Sequence, residues 1–233
     1  LVADWPDEAV RLVAAFWPGP LTLVLPRSPI VPDELTAGGP TVAVRAPAHR
    51  AARELLSRVG APLAAPSANC AEHVSPTAAQ HVLDDLAGRI DAVLDDGPCP
   101  LGIESTVLQL DPPRILRQGS LGRAAIESIV GPVAVGPAPG PAASPGLHPR
   151  HYAPAGELRI VRRAEISGDC AIVHGDLPGL RLPADPTGYA RGLYAALREL
   201  EARGCSTILV EEPPGGPEWA AIRDRLERAA GRP

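Results

Sequence analysis

From Pro132 to Pro154 the chain reads PVAVGPAPGPAASPGLHPRHYAP, dominated by Pro, Gly and Ala. A segment of that composition forms neither a helix nor a sheet interior. It reads as a linker, semi-rigid where the prolines are dense. It therefore divides the chain into two cores, and 233 residues suffice for both, since domains run roughly 100 to 150 residues each. The expected organisation is a domain over 1–131, a linker or lid over 132–155 and a small domain over 156–233.

Before the linker, DEAVRLVAAFW places Val10, Val13, Ala14 and Trp17 at helical spacing, and PGP at Pro18 to Pro20 stops the helix. LTLVL and TVAVR read as strands. AHRAARELLSRVG reads as a helix closed by Gly60, where a left-handed residue is needed. PLAA is predicted as a short buried strand, and SPTAAQHVLDDLAG as a helix with Ser75 as N-cap and Pro76 at its first position. IDAVLD, STVLQL and RIL are predicted as strands, followed by a helix from about Leu121 to Val130 that ends at Gly131. Beyond the linker a second series follows: ELRIV, CAIVHG, a helix with Tyr189, Leu193, Leu197 and Leu200 on one face, STILVEE, and a last helix carrying Trp219, Ile222 and Leu226. The fold class is α/β: an open mixed sheet with helices, then a small Rossmann-like α/β domain. With a single Phe in the chain, the core is expected to be aliphatic.

Composition narrows the chemistry. The net charge of -5 argues against a strong sequence-independent grip on nucleic acid. All 22 basic side chains are Arg, so no step within this chain uses a lysine, whether at a phosphate or in a Schiff base. Cys70, Cys99, Cys170 and Cys205 are widely spaced without a C-x-x-C pair, so neither a zinc knuckle nor a disulfide framework is predicted, and a reducing cytoplasm is the expected compartment. No apolar run approaches the ~18 residues of a membrane span. The chain has no methionine, even at position 1, and is expected to be a fragment lacking its natural beginning.

The chemistry concentrates in PLAAPSANCAEHVSPT, Pro62 to Thr77. In an extended segment alternate side chains share a face, so Ser67 and Asn69 are expected to form a polar hook just after a strand. Pro66 stiffens the turn, and Ser75 would open a helix whose free N–H groups favour an anion, making a phosphate or carboxylate cradle. The plainer alternative is that these residues only satisfy a turn and cap a helix. In TVAVR, Thr41 and Arg45 share one face while Val42 and Val44 turn to the core, which places a guanidinium at a strand end, suited to a forked grip on carboxylate or phosphate. Its alternative is a surface ion pair. GIESTVLQL adds Ser105 and RILRQG adds Arg117.

Together, WPGPLTLVL, TVAVRAP, PLAAPSAN with SPT six residues after Asn69, GPCPLGIESTV and RILRQG occur in the order and spacing of the threonylcarbamoyl-AMP synthases, which they resemble over essentially the whole chain. SPGLHPRHYAP, YAALRELEARG and DRLERAA resemble the long, two-domain form of that YrdC-like family. The resemblance implies joining L-threonine, bicarbonate and ATP into threonylcarbamoyl-AMP with release of pyrophosphate, for the threonylcarbamoyladenosine modification of tRNA. It implies Arg45, Ala65 and Ser105 on threonine, with Arg45 on the carboxylate. It implies Thr41, Ser67, Asn69, Ser75 and Arg117 on ATP, and Tyr152, in the linker, on ATP and in lid closure, against a plain packing role for that ring. No residue is singled out as catalytic. ATP enters as a substrate, with Mg2+ as its candidate companion, and a downstream tRNA threonylcarbamoyl-transferase is a candidate partner. His148 and His151, without a carboxylate or Cys nearby, do not make a metal site.

The chain also departs from the family pattern. A Lys-x-Arg element and a threonine-tyrosine-glycine segment would lie upstream of Leu1, so the 233 residues alone are expected to hold part of a site and to form little adenylate. Ala71, Glu72, His73 and Val74 replace the usual SGRP, which brings a carboxylate toward a triphosphate. His148 and Pro149 replace a more usual basic-aromatic pair. The rival readings are a non-catalytic RNA-binding protein on the same fold, opposed by the acidic balance and few aromatics, and an inactive truncated homologue. A hydrolase reading fails for want of a G-x-S-x-G elbow, and GPAPGPAASPG neither follows a clear strand nor opens a helix as a dinucleotide fingerprint would.

Overall fold

The computed structural model describes residues 1–137 and 152–231. These fall into two compact units, each made of two separate stretches of chain. Residues 1–66 and 104–137 form the first, and residues 67–103 and 152–231 the second.

The first unit is a five-stranded mixed sheet in the order β2-β1-β3-β4-β5, from β1 (Leu21–Pro26), β2 (Thr41–Val44), β3 (Thr106–Leu110), β4 (Pro113–Arg117) and β5 (Ala134–Val135). β1 pairs antiparallel with β2 (Leu23 opposite Val44) and parallel with β3 (Leu21 opposite Thr106). Alternation along the strands sends Leu21, Leu23, Leu25, Leu108 and Ile115 into one cluster with Ala9 and Leu12 of α1 (Asp7–Phe16) and Ile126 of α5 (Arg123–Val130). Val24, Val107 and Leu116 form a smaller cluster of their own. Of the expected stripe, Val13 and Trp17 pack against the core, whereas Val10, 53% exposed, and Ala14 face outward; Ala9 and Leu12 are the fully buried residues of α1. Two registers at helical spacing exist in DEAVRLVAAF, and the one closed by the larger Leu12 and Phe16 packs more deeply. The unit also holds the short α2 (Asp33–Thr36) and α3 (Arg50–Val59), which ends at Gly60 in the left-handed region at φ 67° as expected.

PLAA does not form a strand: residues 62–66 are irregular and Leu63 is 44% exposed. IDAVLD, in the second unit, also stays irregular, with Leu94 68% exposed. An apolar run specifies burial without specifying a strand to pair with, and among the described residues neither run has one. The expected linker is structured at both described ends. Val133 is buried in the first core, β5 pairs parallel with β4, and Tyr152 and Ala153 are buried in the second unit.

The second unit centres on a parallel sheet in the order β6-β9-β7-β8, from β6 (Glu157–Val161), β7 (Ala171–Val173), β8 (Leu180–Arg181) and β9 (Thr207–Glu211). The expected helix is present as α6 (Pro186–Ala202), started by Asp185, whose carboxylate accepts the Gly188 N–H at 2.8 Å, with Pro186 in the first turn. Tyr189, Leu193, Leu197 and Leu200 are all buried, together with Ile222 and Leu226 of α7 (Ala220–Ala229) and with Trp219. α4 (Ala79–Leu86) starts three residues later than expected, with Ala78 at its N-cap position, so Ser75 is not its cap. The Thr77 carbonyl accepts the Cys99 N–H at 2.8 Å and the Thr77 N–H donates to His81 Nδ1 at 3.2 Å, interactions that hold the backbone outside the helix.

The cysteine reading is also corrected: Cys170 and Cys205 form a disulfide. They precede β7 and β9, neighbours in the sheet, so the topology brings together residues 35 apart in sequence, a proximity that cysteine spacing does not encode.

Candidate functional site

In the first unit, polar groups gather at the ends of β2, β1, β3 and β4. Thr22 Oγ1 and Ser105 Oγ lie 2.7 Å apart in a buried hydrogen bond. Arg117, at the end of β4, donates from Nε and Nη2 to the Ser105 carbonyl at 3.2 and 3.1 Å, and from Nη2 to Ser105 Oγ at 3.2 Å. The backbone of Glu104–Thr106 runs so close to Gly119 that a Cβ there would stand 2.4 Å from three backbone atoms, so the loop after Arg117 fits Ser105 only with glycine at that position. Arg45 follows β2. Although it is exposed as a residue, desolvation and then the charge of Arg117 lower its guanidinium below the usual arginine value. Two guanidinium groups close enough to repel one another, beside a fixed serine hydroxyl, make an environment that favours an anion.

Thr41 shares the strand but not the cluster. It pairs with Pro26 at the opposite end of β2, about 13 Å from Arg45 at roughly 3.3 Å per residue. Ala65 lies in the exposed irregular segment.

In the second unit, Ser67 is exposed and Asn69 half-buried. The expected extended hook is not found: the Asn69 N–H donates to the Ser67 carbonyl at 2.9 Å, so the chain bends between them. The Asn69 side chain turns to its own loop, with Nδ2 donating to the carbonyls of Cys70 at 2.9 Å and His73 at 3.0 Å. Its Oδ1 has no hydrogen-bond partner among the described residues. Ser75 is buried ahead of α4. Glu72 adopts φ 66° and passes its carbonyl to the Ala153 N–H at 3.0 Å. Tyr152 is 1% exposed, stacked on Tyr194 at 5.6 Å between centroids, with the Arg225 guanidinium 5.1 Å from its ring. His148, Pro149 and His151 lie outside the described residues. Among the described residues no group of three or more His, Cys, Asp or Glu is arranged to hold a metal ion.

A family model described as "Telomere recombination" matches residues 1–119, and one described as "Threonylcarbamoyl-AMP synthase, C-terminal domain" matches residues 121–231. A threonylcarbamoyl-AMP synthase of Pyrococcus abyssi is 38% identical over 99% of this chain and 76% of its own length. The chain belongs to the threonylcarbamoyl-AMP synthase family. Another threonylcarbamoyl-AMP synthase, from Bacillus subtilis, is 36% identical over 99% of this chain and 75% of its own. The solved structure of P. abyssi Sua5 complexed with L-threonine matches with a TM-score of 0.92 at 36% identity, over 99% of this chain and 76% of that one.

Within this synthase fold, sequence reasoning missed Thr22, which holds Ser105, and a cluster in the second unit that joins the buried side chains of Asp85 and Arg198 to the half-buried His73 and Glu201. A signal for the cluster was present. Arg198 lies four residues after Tyr194 on the apolar stripe of α6, where a charged side chain requires a partner.

Proposed function

We propose that this chain, as a threonylcarbamoyl-AMP synthase, joins L-threonine, bicarbonate and ATP. The threonine amine takes up the carbon of bicarbonate as a carbamate with loss of water. A carbamate oxygen then attacks the α-phosphorus, forming threonylcarbamoyl-AMP and releasing pyrophosphate. The pairing of Arg45 with Arg117 around Ser105 carries the reading. Arg45 pins the threonine carboxylate so that the amine is the nucleophile, and Ser105, held by Thr22 and Arg117, completes the amino-acid contact. Ala65, without side-chain bulk, borders the same substrate.

Arg117, Ser67, Asn69, Ser75 and Thr41 are assigned to ATP; the guanidinium and the hydroxyls are the donors that offset the charge that builds on the phosphates, and Asn69, whose Nδ2 is committed to its own loop, offers Oδ1 as an acceptor. Mg2+ accompanies the triphosphate. The product is reactive and calls for a transferase that passes the threonylcarbamoyl group to tRNA. The same reading puts the chain in the cytoplasm; no helix among the described residues is long and apolar enough to cross a membrane.

The test is calorimetry of threonine and ATP binding, together with threonine- and bicarbonate-dependent release of pyrophosphate, on the full-length chain. Arg45→Ala is expected to weaken threonine binding by about 10²-fold, the scale of a lost charge-assisted contact, while ATP affinity stays within about twofold. Unchanged threonine affinity in that variant would overturn the assignment.

A further inference from the structure

The loop between Asn69 and Ser75 is held from outside at every turn. Its first N–H, on Cys70, donates to Asp85 Oδ2 at 3.2 Å. Its last carbonyl, on Val74, accepts from Arg198 Nη2. Between them, the two ring nitrogens of His73 face two carboxylates: Nδ1 lies 2.9 Å from Asp85 Oδ2 and Nε2 lies 2.7 Å from Glu201 Oε2. Arg198 closes the network, donating to both Asp85 oxygens at 3.2 and 3.0 Å and to the His81 carbonyl at 3.4 Å. Glu201 Oε1 accepts the Ala155 N–H at 2.7 Å. The side chains of Arg198 and Asp85 are only 7% and 6% exposed. Arg198 and Glu201 belong to α6, far along the chain from the loop they hold.

We propose that His73, Asp85, Arg198 and Glu201 are positioning residues that set the Asn69–Ser75 loop for the nucleotide, and that the protonated form of His73 is the competent one. The proposal rests on the assignment of Asn69 and Ser75 to ATP. Asn69 is the transmitting residue, because its amide donates to the carbonyls of Cys70 and His73 and so follows wherever that loop is placed.

The requirement for protonation follows from the donor count. A neutral imidazole has one N–H and serves one carboxylate; the imidazolium serves both. The ionisable groups facing His73 are Asp85 from α4 and Arg198 and Glu201 from α6. His81 stands behind Arg198, and the Cys70 thiol, contacted by Arg89, lies beside Asp85. Partial burial disfavours the charged ring, but the hydrogen bonds to Asp85 and Glu201 and the charge of Glu201 outweigh both that and the opposing Arg198, so His73 is raised above the usual histidine value. His81 is lowered, first by burial and then by Arg198.

The experiment is steady-state kinetics on the full-length chain from about pH 6 to about pH 9, a range that brackets an upward-shifted histidine. In the wild type, KM for ATP is expected to rise several-fold toward the alkaline end. His73→Ala is expected to raise KM for ATP by about tenfold at all pH values, as a small misplacement of a binding segment does, with KM for threonine within about twofold. His73→Arg, protonated throughout, is expected to keep KM for ATP low at alkaline pH and to lack the wild type's rise; the ionisations of the substrates are common to both enzymes and do not account for that difference. Arg198→Met is a second probe of the same loop. A flat KM for ATP in the wild type, or the same pH dependence in His73→Arg, overturns the proposal while turnover stands. Absence of threonine-dependent pyrophosphate release in the wild type overturns the functional reading and takes this inference with it.

Discussion

Ser105 shows how one hydroxyl is fixed by groups from two strands. Thr22 of β1 shares a buried hydrogen bond with it, and Arg117, the last residue of β4, reaches both its carbonyl and its Oγ. Ser105→Ala leaves the Thr22 hydroxyl buried without this partner, Thr22→Val leaves Ser105 Oγ with Arg117 alone, and removing both hydroxyls leaves an apolar contact of similar shape. Ser105→Ala and Thr22→Val are therefore each expected to cost about 1–3 kcal/mol in chemical denaturation, and the double variant clearly less than their sum. Additive losses would mean that the two hydroxyls act independently. That Arg45, Ser105 and Arg117 lie at strand ends was legible in the sequence, because polar groups bordering apolar runs stand out; their assignment to a substrate came from the family resemblance. Thr22 was not legible, since a threonine inside LTLVL reads as an ordinary strand residue and its partner lies 83 positions away. Nor was the bend at Asn69, which is set by hydrogen bonds from the amide back to its own loop rather than by strand alternation.

Elements with a strong period and a marked end were read correctly. α6 has its stripe, its Asp185 cap and Pro186; α3 has Gly60; and β1 and β3 have partners on both sides. Elements inferred from a short apolar run alone, PLAA and IDAVLD, did not form, because a strand depends on a neighbour that its own sequence does not describe. The Cys170–Cys205 disulfide belongs to the same class of fact, since pairing follows from the order of β7 and β9 in the sheet. It closes a loop of 35 residues, so Cys205→Ser is expected to lower stability by about 2–4 kcal/mol, seen as a fall in Tm. Thiol titration of the unfolded chain without reductant should find two reactive groups, Cys70 and Cys99, and with reductant all four cysteines. Four thiols in the unreduced protein would show the bond is not made.

At the scale of the whole chain, each unit is assembled from two stretches, and the second unit takes residues 67–103 out of the region that sequence reading assigned to the first domain. The ion cluster gives that unit a pH signature. Burial works against the Asp85 carboxylate, but Arg198 and His73 overcome it and hold its pKa at about 2, below the usual 3.8. A carboxylate lowered on folding stabilises above its unfolded pKa, and that contribution is lost as pH falls through the folded value. His73 is raised, so its share is present below its unfolded pKa and lost as pH rises through the folded one. Tm is therefore expected to fall between about pH 4 and about pH 2 in the wild type, and less steeply in Asp85→Asn. The shared unit also predicts what cutting the chain does. Val74 is buried in one cluster with Tyr152, Tyr194 and Leu197, and the Asp85 carboxylate is held by Arg198, all supplied from beyond residue 151. A chain ending at Pro137 removes these partners and keeps β1, β3 and β4 with their helices. In hydrogen exchange, amides of residues 70–86 should be protected in the whole chain and exchange as an unstructured segment in the shortened one, while residues 21–26 and 106–117 stay protected in both. Retained protection over 70–86 in the shortened chain would mean that this segment folds without α6, and that the chain divides near residue 131 as its composition alone implies.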